Sequence, residues 1–158
     1  MVNIGENHID VSIIIVNYNN LRLLETCLDS IVKHSNGFVF EIIVVDNNTT
    51  EGDVELVASK YSVDRLIRND KNLGFATANN QGIKIAKGDF ILFLNNDTVF
   101  NENTIFHVLE FAVKKKHELF VGCKILNDDG SRQNSLFEFN TFWNLVGEIF
   151  FYIGCFQE

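Results

Sequence analysis

Phe90-Ile91-Leu92-Phe93-Leu94-Asn95-Asn96-Asp97-Thr98-Val99 decides how the rest of the chain is read. Five apolar residues in a row, opened by the turn-forming Gly88-Asp89, have the length and composition of a strand buried on both faces. Such strands lie in the middle of parallel sheets, and ligands gather beyond their carboxyl ends. Asn95, Asn96 and Asp97 follow without a break, where this strand is expected to leave the core. Asp97 is a hard oxygen donor of the kind that holds Mg2+ or Mn2+ beside a phosphate. A polar turn closing a buried strand accounts for the same residues, so the neighbouring segments must arbitrate.

Upstream, the same event recurs. Val11 to Val16 is an apolar run that breaks into Asn17-Tyr18-Asn19-Asn20. Leu21, Leu24, Leu28, Ile31 and Val32 then fall at helical spacing, closing near Ser35-Asn36-Gly37. Glu41 to Val45 predicts a second buried strand, ending at Asp46-Asn47-Asn48-Thr49-Thr50. Thr50 and Asp53 are both cap candidates for a helix that runs to Lys60. Val63 to Arg68 predicts a short third strand, and a helix is expected from Phe75 to Lys87, with Gly88 as its stop. Downstream of Asp97, Glu102 to Lys116 predicts a helix with Ile105, Val108, Leu109 and Ala112 on one side. Phe120 to Ile125 predicts a further strand, and Asn127-Asp128-Asp129-Gly130-Ser131 a hairpin-type turn. Strand and helix alternate throughout, which means a mostly parallel sheet with helices on both faces.

With 158 residues the chain has the length of one domain, and 46% hydrophobic residues, 15 Phe among them, make it a folding chain. A net charge of -8 argues against a nucleic-acid partner, which needs a basic face. The one basic run, Lys114-Lys115-Lys116, sits where lysines suit the negative end of a helix. Cys27, Cys123 and Cys155 lack metal or disulfide spacing, so a reducing cytoplasm is expected. Met1 to Asp10 lacks the basic-then-apolar order of a secretory signal. The absence of proline and abundance of asparagine read as compositional drift.

Leu136 to Phe156 is different in kind. Phe137, Phe139, Phe142, Trp143, Phe150, Phe151 and Tyr152 crowd it, with Glu138 and Glu148 as its charges. The expected division is a folded domain over residues 1–135 and an aromatic-rich tail over 136–158. Such a tail packs on the sheet, on further protein, on a second copy of the chain or on a membrane surface. The lack of Lys and Arg within it counts against anionic lipid.

The strand ends can be tested against known phosphate readers. A dinucleotide-binding turn needs G-x-G-x-x-G after the first strand, and Val16-Asn17-Tyr18-Asn19-Asn20 contains no glycine; the P-loop pattern occurs nowhere. Four segments instead resemble glycosyltransferase family 2, of GT-A fold, and its rhamnosyltransferase-like members. They are Val11 to Asn19, Ile43 to Thr49, Asn72 to Ile83, and Gly88 to Thr98. Gly122 to Leu126 and Asp129-Gly130-Ser131 extend the likeness to about residue 135.

That resemblance implies a GT-A, Rossmann-like three-layer α/β/α sandwich that binds a UDP- or dTDP-sugar. Val16, Asn17, Tyr18 and Asn19 would lie along the base, with Tyr18 offering a stacking face. Asp46 and Asn47 would hydrogen-bond the pyrimidine edge, although many members carry Asp where Asn47 stands. Asn72, Gly74 and Asn80 would close over base and ribose. Asn95-Asn96-Asp97 takes the place of the family's D-x-D, with Asn95 and Asn96 on the nucleotide sugar and Asp97 as the ligand of a divalent metal (Mn2+ or Mg2+). The implied reaction passes the sugar, with inversion, to a carbohydrate or lipid-linked acceptor in cell-surface polysaccharide synthesis, on the cytoplasmic face of a membrane. No segment matches the family's acceptor-binding half, and nothing marks Glu138 or Glu148 as its general base. The tail would then begin a missing acceptor-binding or membrane-facing part; a homodimer and peripheral membrane association stay open. Two rivals stand beside this reading: a non-catalytic module that dimerises through its tail, and a nucleotidyltransferase.

Overall fold

The computed structural model describes residues 8–115, 120–127 and 129–133. The aromatic tail, with Glu138 and Glu148, lies outside them. The chain divides into two compact units, residues 1–119 and 120–158.

In the first unit β1 (Val11–Asn17), α1 (Leu21–His34), β2 (Phe40–Asp46), α2 (Val54–Lys60), β3 (Arg65–Arg68), α3 (Phe75–Ile83), β4 (Phe90–Asn95) and α4 (Thr104–Lys114) alternate as the sequence predicts. The four strands form one parallel sheet in the order β3-β2-β1-β4. Val11 pairs with Phe40 on one side and with Phe90 on the other, and the register runs to Asn17 opposite Asp46 and Val16 opposite Asn95. The polar ends of three strands are thereby brought side by side.

Side-chain alternation sends Ile13 and Ile15 to one face and Ile14 to the other. The first face packs on Leu24, Cys27, Leu28 and Ile31 of α1, Val54 and Val57 of α2, and Ile105 and Leu109 of α4. The second packs Ile14, Ile43 and Val45 under Ala78 of α3. Helices on both faces make three layers. Ile13, Ile14 and Ile15 are each 0% exposed, and burial of an isoleucine stabilises by about 1.5–3 kcal/mol. Val32 instead projects into solvent and Cys27 joins the buried stripe of α1.

Two sequence-based expectations are corrected. Among the described residues the Phe90 to Leu94 strand lies at the edge of the sheet and not in its middle: β4 pairs there with β1 alone, and Ile91 and Phe93 are 38% and 48% exposed on the α3 side. The doubly buried strand is β1, because the apolar run of β4 says how hydrophobic a strand is and not where it ranks in the sheet. Phe120 to Ile125 is no strand either. A strand exists by pairing, and among the described residues this stretch has a single bridge, Leu126 to Arg132, with the Ile125 carbonyl accepting from the Gln133 N–H and the Ser131 carbonyl from the Asn127 N–H around the expected turn at Gly130. Element ends also shift. The Asp53 side chain, not Thr50, caps α2 by accepting from the Leu56 N–H at 3.1 Å. Helix α3 stops at Ile83, where the Ala86 N–H turns back to the Gly82 carbonyl. Among the described residues no helix is long and apolar enough to cross a membrane.

Burial pushes the Cys27 thiol up to about 12, and the negative charge of Asp97 adds to the rise. At pH 8 its thiolate is then about one part in ten thousand. Iodoacetamide should leave Cys27 unmodified in the native protein at pH 8 and modify it once urea has unfolded the chain, as read by peptide mass spectrometry.

Candidate functional site

The carboxyl ends of β1, β2 and β4 and the loop before α3 enclose a cleft of about 300 Å3. It lies where the sheet order reverses direction, with β2 on one side of β1 and β4 on the other, which is where open α/β sheets bind ligands. Its walls are Val16, Tyr18 and Asn20 after β1, Asn47 after β2, Asn72, Gly74 and Phe75 before α3, and Asn96 after β4. Two aromatic rings and four amides line it, with no charged side chain. That composition suits a planar, neutral, hydrogen-bonding group.

Asparagine chemistry builds this rim. Asn19 and Asn20 carry φ of 47° and 82°, and Asn48 of 69°, a left-handed conformation that asparagine tolerates better than most residues. The turns that end β1 and β2 therefore depend on the asparagines that the sequence reading set aside as drift. Gly74 sits at φ 82°, ψ 161° as the N-cap of α3, a region essentially restricted to glycine.

Of the residues expected from the resemblance, Val16, Tyr18, Asn47, Asn72, Gly74 and Asn96 line the cleft. Asn17 and Asp46 do not, being 0% exposed in the layer beneath. The Asp46 carboxylate accepts from the backbone N–H and hydroxyl of Thr49 and has Arg68 Nε 3.6 Å away. The Asn19 side chain accepts from the Thr50 N–H at 2.9 Å, while Asn80 and Asn95 are exposed outside the lining. Asn20 and Phe75 were missed. The tetrapeptide Asn17-Tyr18-Asn19-Asn20 named the turn but not which amide faces inward, and Phe75 read as the apolar start of a helix.

Asn47 is engaged by the loop above it. Its Oδ1 accepts from Asn69 Nδ2 at 2.9 Å, and its Nδ2 points to the Gly74 carbonyl at 3.5 Å. Asn69 and Gln81 exchange two bonds of 2.8 Å. A ladder of neutral amides thus holds the 69–74 loop between β2 and α3.

Asp97 follows Asn96 in the turn after β4 and is exposed. Among the described residues no three His, Cys, Asp or Glu gather into a metal cage. A lone carboxylate does not suit zinc, but it suits Mg2+ or Mn2+, which bind through one or two carboxylates, water and substrate phosphates. The donor set fits such an ion.

Fold and cleft together define a candidate ligand site on a three-layer α/β/α frame. A family model for glycosyl transferase family 2 matches residues 12–155, and the chain belongs to that family. It is 30% identical over 151 residues to the poly(ribitol-phosphate) beta-glucosyltransferase of Bacillus spizizenii, covering 91% of this chain and 24% of that protein. It is 30% identical over 114 residues to the minor teichoic acid biosynthesis protein GgaB of Bacillus subtilis, covering 70% of this chain and 13% of that one. Among solved structures, residues 1–349 of Staphylococcus aureus TarS in complex with UDP-GlcNAc superpose with a TM-score of 0.61 at 25% identity, over 67% of this chain and 32% of that one. The fold is thus the GT-A fold. The chain spans about a quarter or less of the length of the two relatives named.

Gly74→Ala tests the loop geometry. An added Cβ meets nothing within 4 Å, so the cost is backbone strain alone, about 1–3 kcal/mol. Urea unfolding should show that loss, and ligand binding in the cleft should weaken with it.

Proposed function

We propose that this chain is the donor-binding part of a glycosyltransferase that takes a UDP- or dTDP-sugar and, in the whole protein, transfers the sugar with inversion to a carbohydrate or lipid-linked acceptor of a cell-surface polysaccharide. The observation that carries it is the cleft lined by Tyr18, Phe75 and neutral amides, with the exposed Asp97 next in sequence to its wall residue Asn96. The poly(ribitol-phosphate) and teichoic acid in the names of the two relatives and the UDP-GlcNAc bound to TarS support the acceptor and donor classes. Inversion rests on family membership.

The chain's own groups divide the work. Tyr18 and Phe75 supply ring faces for a pyrimidine, which stacks without demanding charge. The 69–74 loop, held by Asn47 and the Asn69–Gln81 pair, covers the base and ribose. Asn96 faces the ligand from the β4 side. Asp97 would hold Mg2+ or Mn2+, and the cation when bound offsets the negative charge that develops on the departing diphosphate. No residue of the described part is assigned as the base that deprotonates the acceptor.

Calorimetric titration of UDP and of dTDP, with Mn2+ and then with EDTA, tests this reading. Binding that requires the metal is the expected result. Asp97→Ala should keep the fold and lose the metal-dependent share of affinity, at least tenfold. A folded wild-type chain that binds neither nucleotide, and self-associates with concentration, would make it an interaction module instead.

A further inference from the structure

Asp46, Thr49, Asn17 and Asn96 form a single line of side-chain hydrogen bonds from the core to the cleft. A carboxylate can only accept, so the polarity of the line is set at its buried end. The Thr49 hydroxyl donates its one proton to Asp46 Oδ1. Its oxygen is left to accept, from Asn17 Nδ2 at 2.9 Å and from the Asn19 N–H at 3.1 Å. The buried Asn17 amide is thereby oriented with its oxygen outward, and that oxygen accepts from Asn96 Nδ2 at 2.8 Å. Asn96, a wall of the cleft, has its NH2 group turned inward and its carbonyl oxygen left for the ligand. Turning any one amide of the line over sets oxygen against oxygen or N–H against N–H at a neighbour, so no member turns over alone without losing a bond.

We infer that Asp46 is a positioning residue which, through Thr49 and Asn17, fixes the Asn96 amide so that the cleft is met by an acceptor oxygen next to Asp97. The group selected is a ligand hydrogen-bond donor, O–H or N–H; the choice of a nucleoside diphosphate as that ligand rests on the reading above. Asp46 thus acts on a ligand from which it is itself enclosed.

Reversing the line tests this. In Asp46→Asn the new amide donates to Thr49, Thr49 donates to Asn17, Asn17 donates to Asn96, and Asn96 presents NH2. The fold should survive, with a thermal midpoint within about 3 °C of wild type, while UDP binds about tenfold more weakly for one lost hydrogen bond. Asn96→Asp sets its carboxylate against the Asn17 oxygen and should lower the midpoint by about 5 °C or more. In the double variant the whole line runs backwards with every bond made, and the carboxylate introduced by Asn96→Asp again offers the ligand an acceptor. Midpoint and UDP affinity should both recover towards wild type.

A double variant whose midpoint loss equals the sum of the single losses overturns the inference, as does a double variant that fails to fold. If Asp46→Asn alone cannot fold and the double variant can, the line is confirmed. Unchanged UDP affinity in a folded Asp46→Asn overturns the positioning role. Wild-type protein that does not bind UDP removes the nucleotide reading, and the midpoint cycle, measured without ligand, still decides the hydrogen-bond polarity.

Discussion

Strand β1 is held by hydrogen bonds on both edges and by apolar side chains on both faces, and every other element takes its place relative to it. Ile13, Ile14 and Ile15 lie between β2 and β4 with no exposed surface. The same parallel register that buries them sets Asn17 opposite Asp46 and Val16 opposite Asn95, so the three strands end within one residue of each other. The cleft follows from that alignment: three strands run out of apolar residues together, and what comes next must be polar, turned and open to a ligand.

Polar groups beneath the cleft are handled in a consistent way. Asn17, Asp46 and Asn47 are buried, and burying an unpaired polar group costs several times what one hydrogen bond returns. The protein answers with closed networks. One runs from Asp46 through Thr49 and Asn17 to Asn96. The other joins Asn47, Asn69 and Gln81. Asparagine serves both networks because one short side chain donates, accepts and tolerates a left-handed turn. The cleft lining that results carries no charged side chain, and the exposed Asp97 follows its wall residue Asn96. That separation suits a ligand with an uncharged base at one end and phosphates at the other.

Most of the framework was legible along the chain. The apolar runs at Val11, Glu41 and Phe90, the helical spacing after Leu21 and at Ile105, and the pair of cap candidates Thr50 and Asp53 are local patterns. They depend on what a residue does within one turn or one strand of its neighbours, so the sequence by itself determined the order and type of the elements and the family they resemble. It also placed the polar breaks at Asn17, Asp46 and Asn95, since an apolar strand must end where the core ends.

Only the tertiary structure decided which of those polar residues face the ligand. Asn17 and Asn20 are alike in type and close in sequence, yet one is sealed and the other lines the cleft. Asp46 and Asn96 were both expected on the ligand, yet Asp46 is enclosed while Asn96 is a wall of the cleft. Strand β4 carries the strongest apolar run and lies beside β1 with one face half exposed. The physical reason is the same in each case. Which side chain turns inward depends on partners as far as 79 positions away along the chain, brought close by the order of strands in the sheet, and no local pattern carries that order.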